Sequence, residues 1–125
     1  KKRLKKMNDF FKIISGSTDE AGNNVYTLAL NPAHDVFNGH FPGKPVVPGV
    51  MTLMMIRKCA EKAKGLGETR ISYVKDAKYI APIKPDGRKV VVKFTIDDTL
   101  GIKADVVSED GEDYTKVRMT LTKEA

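Results

Sequence analysis

The stretch HFPGKPVVPGVMTLMM, residues 40–55, puts a titratable ring on a stiff segment of three prolines and two glycines, directly ahead of the greasiest run in the chain. Imidazole titrates near neutrality when unperturbed, so His40 can take up a proton and give it back in water. Behind it, Pro48 and Gly49 precede an apolar segment with helical spacing. The first amides of a helix lack internal partners, point outward and carry partial positive charge. Two readings fit these residues. One is a base on a loop facing the positive end of a helix; the other is a sharp structural corner with a histidine beside it by accident.

The remaining reactive side chains narrow the chemistry. His34 and Asp35 stand six and five residues before His40, but that spacing matches no common ligand pattern and no third strong ligand is in view. No metal site is assigned, and no cofactor is implied. Cys59 is the only cysteine, so no internal disulfide can form. Its helical surroundings, IRKCAEKA, describe a packed small side chain rather than a nucleophile.

A chain of 125 residues makes one domain with a modest core. Residues 1–9 are read as a basic N-terminal tail and 10–125 as the domain. No run reaches the roughly 18 apolar residues of a membrane span. Aspartate and lysine interrupt the block a secretory signal would need after KKRLKK. A cytoplasmic protein is expected. The net charge of +6, from 22 Lys and Arg against 16 Asp and Glu, favours an acidic partner. The basic residues are scattered, and no nucleic-acid-binding motif accompanies them.

The elements that must position His40 follow from periodicity. FFKIIS (10–15) and NVYTLALN (24–31) read as strands around a turn, with Tyr26, Leu28 and Leu30 on one face. Residues 32–49 form a long loop. Loops of that length in small domains are usually functional or disordered, and its four prolines and two aromatic rings favour the first. A helix runs from Val50 until Gly65 and Gly67 close it. Its first half, VMTLMMI, is apolar on nearly every side and must be surrounded, by a sheet curling around it or by a second subunit. Strands follow at 69–84, 89–97, 102–108 and 114–123. Val90, Val92, Phe94 and Ile96 share one face, as do Val117, Met119 and Leu121. This order is α+β, with one buried helix packed on a curved antiparallel sheet.

The segment NPAHDVFNGHFPGKPVVPGV (31–50) resembles, almost residue for residue, the active-site loop of the hotdog-fold (FabZ-like) dehydratases. These act on 3-hydroxyacyl groups carried by acyl carrier protein in fatty-acid synthesis. KYIAPIKPDG (78–87) is similar to a later family motif, with its turn written Pro85-Asp86-Gly87. The resemblance implies a hotdog fold, a long central helix wrapped by a bent antiparallel sheet. It also implies protomers paired edge to edge with active sites at the interface.

It further implies roles. His40 would be the base that takes the C2 proton of a 3-hydroxyacyl thioester. The amides of Gly49 and Val50 would hold the thioester oxygen as the enolate develops. Phe41, Pro42, Pro45 and Pro48 would shape and stiffen the loop. Val47, Met51, Met54 and Met55 would line an acyl tunnel, or the methionines would simply fill the core. The acidic carrier protein suits the basic surplus.

One position departs from the family. Its helix carries a carboxylate four residues after the P-G-V valine, and here that residue is Met54; a glutamine one turn later is replaced by Lys58. A thioether cannot move a proton, and loss of a general acid costs on the order of 10²–10⁴ in rate. Three expectations follow. Lys58, about 6 Å further along the axis, donates the proton or merely snorkels to solvent. Alternatively, a related hotdog subunit supplies the carboxylate in a mixed dimer. In the third, the chain binds acyl groups or carrier protein without catalysis. Hotdog thioesterases direct water with a polar group on the helix, and a methionine-lined helix start argues against that reaction.

Overall fold

The computed structural model describes residues 10–31, 46–84 and 86–124. In chain order these form β1 (Phe11–Thr18), β2 (Asn24–Leu30), the helix α1 (Gly49–Lys64), β3 (Thr69–Tyr79), β4 (Lys89–Ile96), β5 (Gly101–Ser108) and β6 (Asp113–Lys123). Alternation builds the sheet: Val90, Val92 and Phe94 of β4 are buried while Lys89, Lys93 and Thr95 face outward. Tyr26, Leu28 and Leu30 on β2, and Val117, Met119 and Leu121 on β6, repeat the pattern.

All pairings are antiparallel, and the strand order is β1-β2-β4-β5-β6-β3. The strand that follows the helix therefore crosses to the far edge and pairs with the last one. The helix touches both edge strands, β1 and β3, as well as the interior strand β4. The sheet thus curves around it. Met51, Met55, Ile56, Cys59 and Ala60 point from the helix into the shared core. Burial drives this packing, at roughly 1.5–3 kcal/mol for each large apolar side chain. Cys59 is fully buried, and desolvation pushes its thiol up to about 12. It is a core residue, as its neighbours suggested.

Two of the expected strand ends move by several residues. β1 runs on to Thr18, because pairing with β2 keeps Gly16 and Ser17 extended opposite Tyr26 and Val25. β3 ends at Tyr79 rather than at residue 84. There the amides of Ile80 and Ala81 both turn to the Tyr114 carbonyl, at 2.8 and 3.2 Å. The apolar half of the helix is covered on one side only: Met51, Thr52, Met55 and Ile56 are buried, whereas Val50 is 65% exposed and Leu53 and Met54 are half-buried. This chain's sheet does not surround it.

The helix stops where Gly65 adopts the left-handed conformation, with Lys62 and Lys64 complementing the negative end of the dipole. Among the described residues no helix is long and apolar enough to cross a membrane.

Candidate active site

At the other end of the helix the backbone groups are left open. Pro48 is the N-cap, in an extended conformation, and offers no side-chain acceptor. The amides of Met51 and Thr52 donate to the Pro48 carbonyl, at 3.0 and 3.3 Å. Those of Gly49 and Val50 donate to no protein acceptor among the described residues. No acidic residue stands in the first turn, so no carboxylate of the helix itself neutralises its positive end.

A pocket of about 570 Å³ opens at Gly49; Val50, beside it on the helix, is not part of its lining. Pro48, Gly49 and Thr52 form one wall; Tyr79 and Ile80, at the end of β3, form another, and Ile83 and Thr115 contribute further. Two backbone links hold the walls together. The Val47 amide donates to the Ile83 carbonyl at 2.8 Å, and Ile80 and Ala81 are bound to Tyr114. The structure therefore brings the start of the helix against the KYIAPIKPDG segment, the two places singled out in the sequence. That segment ends in a turn pinned by a two-pronged pair: Arg88 Nε to Asp86 Oδ1 at 2.7 Å, and Nη2 to Oδ2 at 2.6 Å. Hydrogen bonds from Arg88 hold the Asp86 carboxyl down at about 2. Arg88 also donates to the Tyr114 hydroxyl at 3.1 Å, tying the turn to β6.

The expected site residues divide. Gly49 and Val50 are at the helix start, and Val47 and Pro48 line the pocket. Met51 and Met55 lie in the core and do not line the pocket; Met54 is half-buried against that core. Lys58 is drawn the other way along the helix: its Nζ is 3.3 Å from Glu61 Oε1. Glu61 in turn accepts from the Thr69 amide and hydroxyl, at 2.8 and 2.7 Å. Lys58 is thus part of the clamp between the helix end and β3. His40, Phe41, Pro42 and Pro45, with His34, lie outside the described residues.

Three polar residues of the pocket were not anticipated: Thr52, Tyr79 and Thr115. Thr52 is the one polar residue in VMTLMMI, a signal that it faces something other than plain core. Tyr79 stood in the quoted second motif. Nothing in its neighbourhood marks Thr115.

A family model described as ApeI-like, ApeI dehydratase, matches residues 16–116. The chain belongs to the ApeI-like dehydratase family. It is also similar to the 3-hydroxyacyl-[acyl-carrier-protein] dehydratase FabZ of Campylobacter fetus, at 33% identity over 108 residues, covering 76% of this chain and 70% of that protein. FabZ of Latilactobacillus sakei is 32% identical over 103 residues, covering 75% and 71%. Among solved structures, the dehydratase heterocomplex ApeI:P from Xenorhabdus doucetiae superposes with a TM-score of 0.74 at 22% identity, covering 88% of this chain and 96% of that one. The fold of this ApeI-like chain is the hotdog fold, as the resemblance implied, and the chain is dehydratase-like.

Proposed function

We propose that this chain is a 3-hydroxyacyl-[acyl-carrier-protein] dehydratase, which removes water from a 3-hydroxyacyl thioester to give the trans-2-enoyl thioester. One observation carries the reading: in a chain of a dehydratase family, the Gly49 and Val50 amides have no acceptor among the described residues, at a helix start without acid, and Gly49 lines a largely apolar pocket there. A thioester oxygen seated there would be polarised as charge builds on it. His40 takes the C2 proton; the C3 hydroxyl then leaves with a proton as water. The thioester stays on the acidic carrier protein, whose charge suits the surplus of +6.

Met54 favours a particular form of this reading, in which the leaving-group proton comes from another subunit. We infer that the partner is a homologous hotdog protein carrying a carboxylate at the position of Met54. Two features support that assembly. β3 is a free sheet edge among the described residues, and it exposes Tyr73 and Val74, with Ile80 just beyond its end. The ApeI:P structure, of like fold, is itself a heterocomplex.

The test is turnover of a short 3-hydroxyacyl or enoyl thioester by the wild type, His40→Ala and Met54→Glu, each alone and with a co-expressed homologue. His40→Ala abolishes activity, Met54→Glu raises it, and the homologue raises that of the wild type. Strong wild-type turnover that His40→Ala leaves intact overturns the assignment.

A further inference from the structure

The pocket has a polar group beyond the helix amides. The phenol of Tyr79 lies over Gly49, so close that a Cβ there would be 2.7 Å from its oxygen. That hydroxyl has no hydrogen-bond partner among the described residues. Its ring belongs to the pocket wall, and 53% of the residue is exposed, so the oxygen is within reach of a bound molecule.

We propose that the Tyr79 hydroxyl is a third donor to the thioester oxygen, acting beside the Gly49 and Val50 amides. This rests on the dehydratase reading and names a substrate-binding residue within it. The chemistry asks for such a group. The charge that forms when the C2 proton leaves is delocalised onto the thioester oxygen, and donors fixed in advance around that oxygen lower the barrier. A phenol is suited because it donates without carrying charge into an apolar pocket. Burial raises the Tyr79 pKa above its ordinary value, so the donor keeps its proton at neutral pH. Tyr79 transfers no proton in this scheme; it strengthens one hydrogen bond as the enolate forms.

Tyr79→Phe tests this, since it keeps the ring over Gly49 and removes only the oxygen. In the active assembly, kcat falls by roughly 10²-fold while KM and the melting temperature stay near wild type. A second readout does not need turnover. The carbonyl stretch of a bound short trans-2-enoyl pantetheine thioester lies at lower frequency in the wild type than in Tyr79→Phe. If Tyr79→Phe matches wild type in kcat and carbonyl frequency while His40→Ala is inactive, the Tyr79 assignment is wrong and the dehydratase reading stands. If the wild type is inactive in every assembly, the dehydratase reading fails. The carbonyl frequency then decides for Tyr79 alone: a shift lost in Tyr79→Phe supports it, and equal frequencies or no binding overturn it.

Discussion

Gly49 makes room for the phenol of Tyr79: a methyl group at position 49 would stand 2.7 Å from the hydroxyl oxygen and 2.8 Å from the carbon that bears it. The helix start and the end of β3 are thus fitted to each other at one point, and that point is the wall of the pocket. A glycine here is explained by close approach rather than by backbone conformation.

Gly49→Ala accordingly separates folding from function. The obstructing atoms are the far end of a half-exposed ring, which can swing toward solvent. The variant melts within a few degrees of wild type but loses activity, because the phenol leaves its place. A double-mutant cycle checks the cause. Once Gly49→Ala has displaced the ring, adding Tyr79→Phe costs little more in kcat.

Gly16→Ala gives the opposite result. Its Cβ would lie 2.6 Å from Tyr26 Cε2, and Tyr26 is a core residue whose ring centroid is 5.8 Å from that of Phe94. That ring has nowhere to go. Overpacking of this kind costs about 1–3 kcal/mol, read as a lower denaturation midpoint with an unchanged slope. Activity per folded molecule stays at the wild-type level.

These two glycines show where the sequence is readable. The face of β4 was legible because Val90, Val92 and Phe94 recur at every second position, with Lys89, Lys93 and Thr95 on the other face and Val91 the one apolar residue among them, and a half-buried strand requires that period. The helix limits were legible because Pro48 and Gly49 open it and Gly65 closes it in a conformation that glycine adopts at no steric cost. Gly16 was misread as the start of a turn, since its reason for being glycine is the ring of Tyr26 on the next strand. Likewise, the reach of Tyr79 to Gly49 depends on β3 crossing to the sheet edge beside β6, a pairing that no local pattern encodes. For Lys58 the sequence left two roles open, proton donor or snorkelling side chain, because Glu61 comes into view only with the helix end packed on Thr69.

The Asp86–Arg88 pair predicts a pH dependence. Asp86 is held at about 2 in the folded chain by its hydrogen bonds from Arg88, against an ordinary value of 3.8. A depressed carboxylate stabilises the fold fully above its unfolded value, and that contribution is lost as pH falls from about 4 toward 2. The site is exposed, so the effect on global stability is small. It is read directly by NMR titration of the Asp86 carboxyl carbon, with a midpoint near 2 in wild type. In Arg88→Gln the midpoint returns toward the ordinary value; an unchanged midpoint means the pair is not formed.

The free edge of β3 predicts how the site is assembled. Tyr73 is 60% exposed and Val74 is 37% exposed, on a strand whose outer backbone groups pair with no described strand. Natural edges that must stay unpaired carry charges, lysine above all. This edge already carries Lys75 and Lys78, and Tyr73 and Val74 are the exposed apolar side chains between its charges, so a lysine at either position extends the same device over that apolar stretch. Because neither side chain belongs to the core, Tyr73→Lys and Val74→Lys keep the melting behaviour of the isolated chain. In sedimentation they shift the assembly, with itself or with a carboxylate-bearing homologue, toward monomer. Activity falls with the assembled fraction and returns at higher protein concentration, as the proposed supply of the leaving-group proton by a second chain requires. Wild-type sedimentation in both variants places the partner on another surface. Monomers with full activity remove the need for the partner's carboxylate.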